Sequence, residues 1–241
     1  RVIGNKPNLV YGYAVSATKP SWVSTGTIRG DSVTYNTSYT LYDAHLRSRQ
    51  VQSPSPVGGR VIAETFYDDR GLAGMTYADV YDDTSTPNGT LMATVNAQAP
   101  SETRTVFDGA QRPTTSTFLV AGVTKWSTTT SYTGDSVAST AVTGGSATRE
   151  ISDVFGRVIE RRQYSGTSPT ASTYLKTSFT YTPDGEQESV TGPDGARWTY
   201  GYDLFGRQTK TSDPDKGTTT TSYTALDQVE STTDAAGNTL L

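Results

Sequence analysis

Tyr202-Asp203-Leu204-Phe205-Gly206-Arg207 is the stretch on which the reading of this chain turns. One tyrosine stands 21 residues before it, at Tyr181, and another 21 residues after it, at Tyr223. In and around this interval, reversal signals fall at Pro183-Asp184-Gly185, Pro193-Asp194-Gly195, Asp203 to Arg207, Asp213-Pro214-Asp215-Lys216-Gly217 and Asp234-Ala235-Ala236-Gly237. Turns therefore recur about every ten or eleven residues, the spacing of short strands in an antiparallel meander. An Asp side chain accepts hydrogen bonds from backbone N–H groups two residues on, and Gly takes positive φ without a Cβ clash, so together they reverse the chain. An Arg just past the Gly, as at Arg157 and Arg207, is placed to return to the Asp that opens its turn, Asp153 or Asp203; an exposed pair of this kind contributes only ~0–1 kcal/mol.

Degenerate copies run toward the N-terminus. Tyr42-Asp43 with Leu46-Arg47, Tyr67-Asp68-Asp69-Arg70-Gly71, Phe107-Asp108-Gly109-Ala110-Gln111-Arg112 and Ser152-Asp153-Val154-Phe155-Gly156-Arg157 all follow the hexapeptide. Tyr132 divides the long gap between the last two. Between turns, alternation places Val33, Tyr35, Thr37, Tyr39 and Leu41 on one strand face, and likewise Leu175, Thr177, Phe179 and Tyr181, or Trp198, Tyr200 and Tyr202. Alternation is weak in Arg207 to Ser212 and Thr218 to Ser222, where ladder hydrogen bonds and Thr–Thr cross-strand pairs must hold the sheet. The organisation expected is one β region over 1–241, with less regular strands in 1–40, degenerate repeats in 41–151 and regular repeats of about 21 residues in 152–241. Ser53 to Gly59, Asp82 to Gly89 and Ser165 to Ala171 interrupt the period and read as loops protruding from one rim.

Composition narrows the architecture. Hydrophobic residues make up 33% of the 241, charged residues 18%, and the net charge is -4. That is too little apolar material for a thick core and too little charge to drive disorder. A thin, well-hydrogen-bonded sheet satisfies both limits. Twisted sheets rarely exceed about ten strands without curling or splitting. The fold class expected is all-β, a repetitive antiparallel hairpin ribbon that curls into an open shell or solenoid-like wall. Cysteine is absent, which removes disulfides, thiol nucleophiles and Cys-based zinc sites. Scattered basic residues in a net acidic chain lack the positive field that phosphate binding needs, so nucleic acid is not an expected partner. No run of about 18 apolar residues occurs, and a chain opening at Arg1 without a basic or apolar leader is expected to be part of a longer protein.

The hexapeptide, its Asp-Pro and Gly turn and the next Tyr at 21 residues resemble the YD repeat of bacterial Rhs proteins and the related teneurins. The resemblance is clear over about 152–241, patchy over 41–112 and faint before Leu41. It implies a β shell that spirals around a hollow interior and encloses or displays a variable C-terminal toxin. The partners it implies are the remaining repeats and that cargo, and the location is secreted or cell-surface. Such shells end in a segment whose aspartates release the toxin by self-cleavage; Asp213 to Gly217 has only a superficial likeness to it, so neither cleavage site nor toxin is expected within these residues.

No catalytic residue, metal site or cofactor is expected. His45 is the only histidine and no Ser or Cys nucleophile motif accompanies it. Asp68-Asp69, Asp82-Asp83 and Asp213 with Asp215 and Gly217 offer oxygen ligands, but the closing acid of a calcium loop is missing, and turn capping explains them. Aspartates at 184, 194, 203, 213 and 234 are explained by the repeat without invoking a glycosidase pair. The alternative to a shell is an adhesion module that binds cell-surface carbohydrate or protein, with Trp22, Trp126, Trp198 and the 15 tyrosines as the ring surface. The residues that define the repeat are Tyr42, Asp43, Tyr67, Asp68, Gly71, Phe107, Asp108, Asp153, Gly156, Arg157, Tyr181, Tyr202, Asp203, Gly206, Arg207 and Tyr223.

Overall fold

The computed structural model describes residues 2–3, 6–31 and 33–240. These residues form antiparallel strands throughout, with a single 3-10 turn at Asn96–Gln98. The chain divides into two compact units, Arg1–Thr128 and Thr129–Leu241.

In the first unit β1 (Val2–Ile3) pairs with β2 (Lys6–Pro7). There follow β3 (Leu9–Ala14), β4 (Ser21–Ile28), β5 (Tyr35–Tyr42), β6 (Ser48–Pro54), β7 (Arg60–Tyr67), β8 (Ala73–Asp82), β9 (Ser101–Phe107) and β10 (Pro113–Val120). Each of these strands pairs with the next. β11 (Val123–Tyr132) begins in this unit, where Trp126 stacks on Phe118 of β10 with ring centroids 5.4 Å apart. The second unit takes up the end of β11 and continues with β12 (Ser136–Ser139), β13 (Thr148–Ser152), β14 (Val158–Tyr164), β15 (Tyr174–Tyr181), β16 (Gln187–Thr191), β17 (Arg197–Tyr202), β18 (Gln208–Asp213), β19 (Gly217–Tyr223), β20 (Val229–Thr233) and β21 (Thr239–Leu240). Here too every strand pairs with its successor.

The second unit buries little apolar surface, and hydroxyls take its place. Thr180 and Ser189 meet at 2.8 Å, Ser222 and Ser231 at 2.9 Å, Thr130 and Ser139 at 3.1 Å, each pair bridging neighbouring strands. This is why β18 and β19, with polar residues on both faces, still form regular ladders.

The first unit departs from the expected thin sheet. Cross-strand register aligns Trp22, Leu41, Gln50, Glu64, Tyr77, Glu102 and Leu119 in one row over β4 to β10. A second row holds Tyr39, Gln52, Ile62 and Val80. The register of β7 on β8 slips between Ile62 and Glu64, with Asp79 at φ 59°, and this bulge turns both Tyr77 and Val80 to the same face. Residues 83–100 do not protrude from a rim as the loop reading of Asp82 to Gly89 expects. They lie as a strap over these rows and close a small core of Ile62, Tyr77, Val80 and Ala99, flanked by Phe66, Met75 and Met92. The segment from Ser53 is likewise shorter than expected, because Ser53 and Pro54 belong to β6 and only 55–59 turn.

The hairpins that carry the repeat share one turn. Asp43 N–H donates to the Arg47 carbonyl at 3.0 Å and Leu46 N–H to the Asp43 carbonyl at 3.0 Å; the same pair of bonds closes 68–72, 108–112, 153–157, 203–207 and 234–238. This is a three-residue loop with a left-handed fourth position. Gly fills that position at 71, 156, 206 and 237, with φ of 84°, 80°, 76° and 85°, whereas Leu46, Gln111 and Asp227 occupy it at 58°, 64° and 61°. A left-handed non-Gly residue costs about 1–2 kcal/mol. Leu46→Gly and Gln111→Gly are therefore expected to raise stability by roughly 0.5–1 kcal/mol after the extra entropy of Gly in the unfolded chain is allowed for. Gly156→Ala is expected to lower it by about 1–2 kcal/mol, since the space beside Gly156 is open and only the backbone resists. Urea unfolding midpoints of the three variants check the signs.

Candidate functional site

The candidate functional site is the rim that carries the turns at 43–47, 68–72 and 108–112 in the first unit and at 153–157 and 203–207 in the second; the turn at 234–238 lies on the opposite rim. The Asp at the head of such a turn holds three donor groups, two amides and one guanidinium. Asp203 Oδ1 accepts from the N–H groups of Phe205 at 2.9 Å and Arg207 at 3.0 Å, while Oδ2 receives Arg207 Nε and Nη2, both at 2.7 Å. Asp43 with Arg47, Asp108 with Arg112 and Asp153 with Arg157 repeat this set almost bond for bond. At Asp68 the guanidinium comes from Arg70, two residues on, and Leu72 supplies the second amide.

The rim is also interlocked from turn to turn, which the sequence pattern did not disclose. Arg47 lies 4.2 Å over the ring of Tyr67, Arg157 lies 4.7 Å over Tyr181, and Arg207 lies 4.7 Å over Tyr223. Each of these tyrosines then donates its hydroxyl to the carbonyl that follows the same arginine: Tyr67 to Ser48 at 2.9 Å, Tyr181 to Val158 at 2.7 Å and Tyr223 to Gln208 at 2.9 Å. Tyr202 donates likewise to the Gln187 carbonyl at 2.9 Å, which follows Glu186 in place of an arginine. Other links run forward directly, from Arg70 Nη1 to the Asp108 carbonyl at 2.6 Å and from Arg207 Nη1 to the Asp227 carboxylate at 2.6 Å. Tyr42 and Phe107 occupy the equivalent position beside the turn, where the register slips by one residue, and Phe107 brings a ring without a hydroxyl.

Two turns of this rim carry other residues. At Thr182 to Glu186 a threonine hydroxyl replaces the Asp, donating to the Glu186 carboxylate while it accepts the Glu186 amide at 3.1 Å. At Thr224 to Gln228 the threonine hydroxyl accepts the amides of Leu226 and Gln228, both at 3.3 Å. A search for Asp at the head of each turn overlooks both; the 21-residue spacing of Tyr181 and Tyr223 about Tyr202 is the signal that finds them.

Nothing at this rim converges as a catalytic set. His45 sits exposed at a turn tip with its amide donated to Asp43 at 2.9 Å. Asp213 Oδ1 accepts the amides of Asp215 at 2.8 Å and Lys216 at 3.0 Å, which is turn capping. Among the described residues no group of three or more His, Cys, Asp or Glu side chains could hold a metal ion. No helix of the described residues is long and apolar enough to cross a membrane. In the first unit Trp22 meets Tyr39 edge-on under the strap, whereas Trp126, stacked on Phe118, and Tyr11 and Tyr13 of β3 are exposed.

Residues 181–218 match the family model of the RHS repeat. The chain carries an RHS repeat over those residues. The matched stretch contains the Asp203 turn and its threonine-headed neighbour at 182–186. No curated protein matches the chain. Among solved structures, the RHS-repeat chain is similar to TcdB2-TccC3 without its hypervariable C-terminal region, at 17% identity and a TM-score of 0.67 over 91% of this chain and 12% of that one. It is equally similar to TcdB2-TccC3-TEV, at 16% identity and a TM-score of 0.68 over 93% and 13%, and to TcdB2-TccC3-Cdc42, at 16% and 0.66 over 91% and 12%. The likeness is one of fold, and the RHS-repeat chain spans about an eighth of the length of those proteins.

Two predictions follow from the rim's geometry. A double-mutant cycle on Arg157→Ala and Tyr181→Ala is expected to give a coupling of about 0.5–2 kcal/mol, because stacking joins the two side chains. Tyr181→Phe keeps the ring and is expected to lose only about 0.5–1.5 kcal/mol, the hydroxyl's bond to Val158.

The second prediction concerns acid. At Asp43, Asp153 and Asp203 burial works to raise the carboxyl pKa, but the amide and guanidinium donors outweigh it and hold each below the ordinary aspartate value. At Asp68 and Asp108 the largest influence is the amide four residues on, and the direction is the same. The folded chain thus binds fewer protons than the unfolded one as pH falls through about 4, so stability present at neutral pH is lost below that point. Urea midpoints measured against pH are expected to fall on acidification, and Asp203→Asn is expected to be less stable at neutral pH with a shallower acid dependence.

Proposed function

We propose that this RHS-repeat chain is a length of structural wall in a secreted or surface-displayed protein, and that the wall encloses or displays a C-terminal toxin or effector lying outside residues 1–241. The observation that carries this reading is the rim interlock. Every link in it joins one hairpin to the next, which builds a wall, and it leaves no set of groups assembled on a substrate. The RHS-repeat match at 181–218 and the fold likeness over nine-tenths of the chain support the same assignment. The partners it implies are the neighbouring repeats and the enclosed effector.

Solution scattering of the 241-residue chain, with its mass measured in the same run, tests the wall reading. A monomer with a radius of gyration well above the ~18 Å of a compact domain of this length is the expected result. A monomer at that value would mean a filled globule and would remove enclosure as the function.

A further inference from the structure

The face beneath the strap is built to read polypeptide backbone. Gln50 and Gln52 are 1% and 0% exposed, on a strand where the half-exposed residue between them is Val51, an inversion of the usual pattern. Their amides face residues 88–92, which join no strand ladder and bend at Gly89 and Thr90. Gln50 donates Nε2 to the Met92 carbonyl at 2.9 Å and accepts the Met92 N–H on Oε1 at 3.1 Å. Gln52 donates to the Thr90 carbonyl at 2.8 Å and accepts the Asn88 N–H at 2.9 Å. All four bonds go to main-chain atoms, so they are indifferent to the strap's side chains. The two amides are held in place from behind. Gln52 Nε2 bonds Gln50 Oε1 at 2.8 Å, and Arg60, itself paired with Asp82 at 2.7 Å, donates to Gln52 Oε1 at 2.7 Å.

Side chains enter the recognition at Thr94, whose hydroxyl donates to the Glu64 carboxylate, and at two further points. Met92 packs against the Ile62, Tyr77 and Val80 core. Gly89 lies on the Trp22 indole so closely that a Cβ there would stand 2.3 Å from Nε1 and 2.5 Å from Cδ1. Leu91, Ala93 and Val95, by contrast, face outward. The arrangement is that of a groove that pairs with peptide backbone through fixed amides and selects a glycine three residues before an apolar side chain.

We propose that this face is a peptide-binding groove for a chain with a Gly-x-x-apolar spacing that bends at the glycine, and that residues 88–92 are its resident, exchangeable ligand. The inference stands apart from the wall reading, since it concerns one face of the first unit alone.

The test places protease recognition sites in the full 241-residue chain between Thr84 and Ser85 and between Gln98 and Ala99, so that cleavage frees residues 85–98. The probe is a fluorescent synthetic peptide of the same residues, followed by anisotropy, with circular dichroism reporting the strands. The proposal expects the cut chain to keep its strand signal and to bind the probe saturably, while the uncut chain does not. Methylation of the Met92 amide nitrogen, or Gly89→Ala in the probe, is expected to abolish binding, whereas Leu91→Ser is expected to leave it unchanged. Gln50→Leu with Gln52→Leu in the chain is expected to weaken it by about ten-fold or more. An unmethylated and a methylated probe that bind equally, a folded cut chain that binds neither, or a cut chain that loses its strand signal would each overturn the proposal, the last by showing the strap to be an inseparable part of the fold.

Discussion

The structure depends on one small arrangement, a carboxylate that accepts two backbone amides of its own turn and one guanidinium. The amides fix a left-handed turn that neither strand would adopt alone, and the guanidinium, once held flat by the carboxylate, becomes a surface on which the tyrosine of a following hairpin lies. Local reversal and attachment to the neighbour are thus consequences of the same ion pair. The pair at Asp203 and Arg207 is partly exposed and weak as an isolated salt bridge. Its importance comes from what it orients.

That division explains what could be read from the sequence. Turns are local, so Asp, Gly and Arg at fixed offsets announced their positions and, through the 21-residue period, the antiparallel order. The interlock between turns is also written in residue types, in Tyr and Arg, but their meeting depends on strand register and bulges that no local pattern encodes. Arg157 and Tyr181 lie 24 residues apart and Arg207 and Tyr223 only 16, so sequence distance gave no guide to the pairing.

The strap was hidden for a different reason. In β6 the sequence Ser-Arg-Gln-Val-Gln-Ser-Pro alternates, yet its polar residues are the ones that go inside. Burying glutamine is favourable only when its amide is fully partnered, and the partners are main-chain atoms some forty residues later, contributed by a segment whose Pro, Asn and Gly read as a surface loop. The same chemistry places Glu64 in the interior, bonded to Thr94 of the strap and to Arg49 at 3.0 Å. A low apolar fraction therefore limited the size of the core correctly while leaving its composition, half of it polar, unforeseen.

The tyrosine hydroxyls have one more implication. Each donates to a carbonyl of the backbone, and the residues that own those carbonyls are Ser48, Val158, Gln187 and Gln208, with nothing in common as side chains. Attachment between hairpins is addressed to the peptide group, which mutation cannot remove except by shifting register. Most side chains of a repeat therefore take no part in this attachment, and the same fold can be written in sequences that agree at only 16–17% of positions.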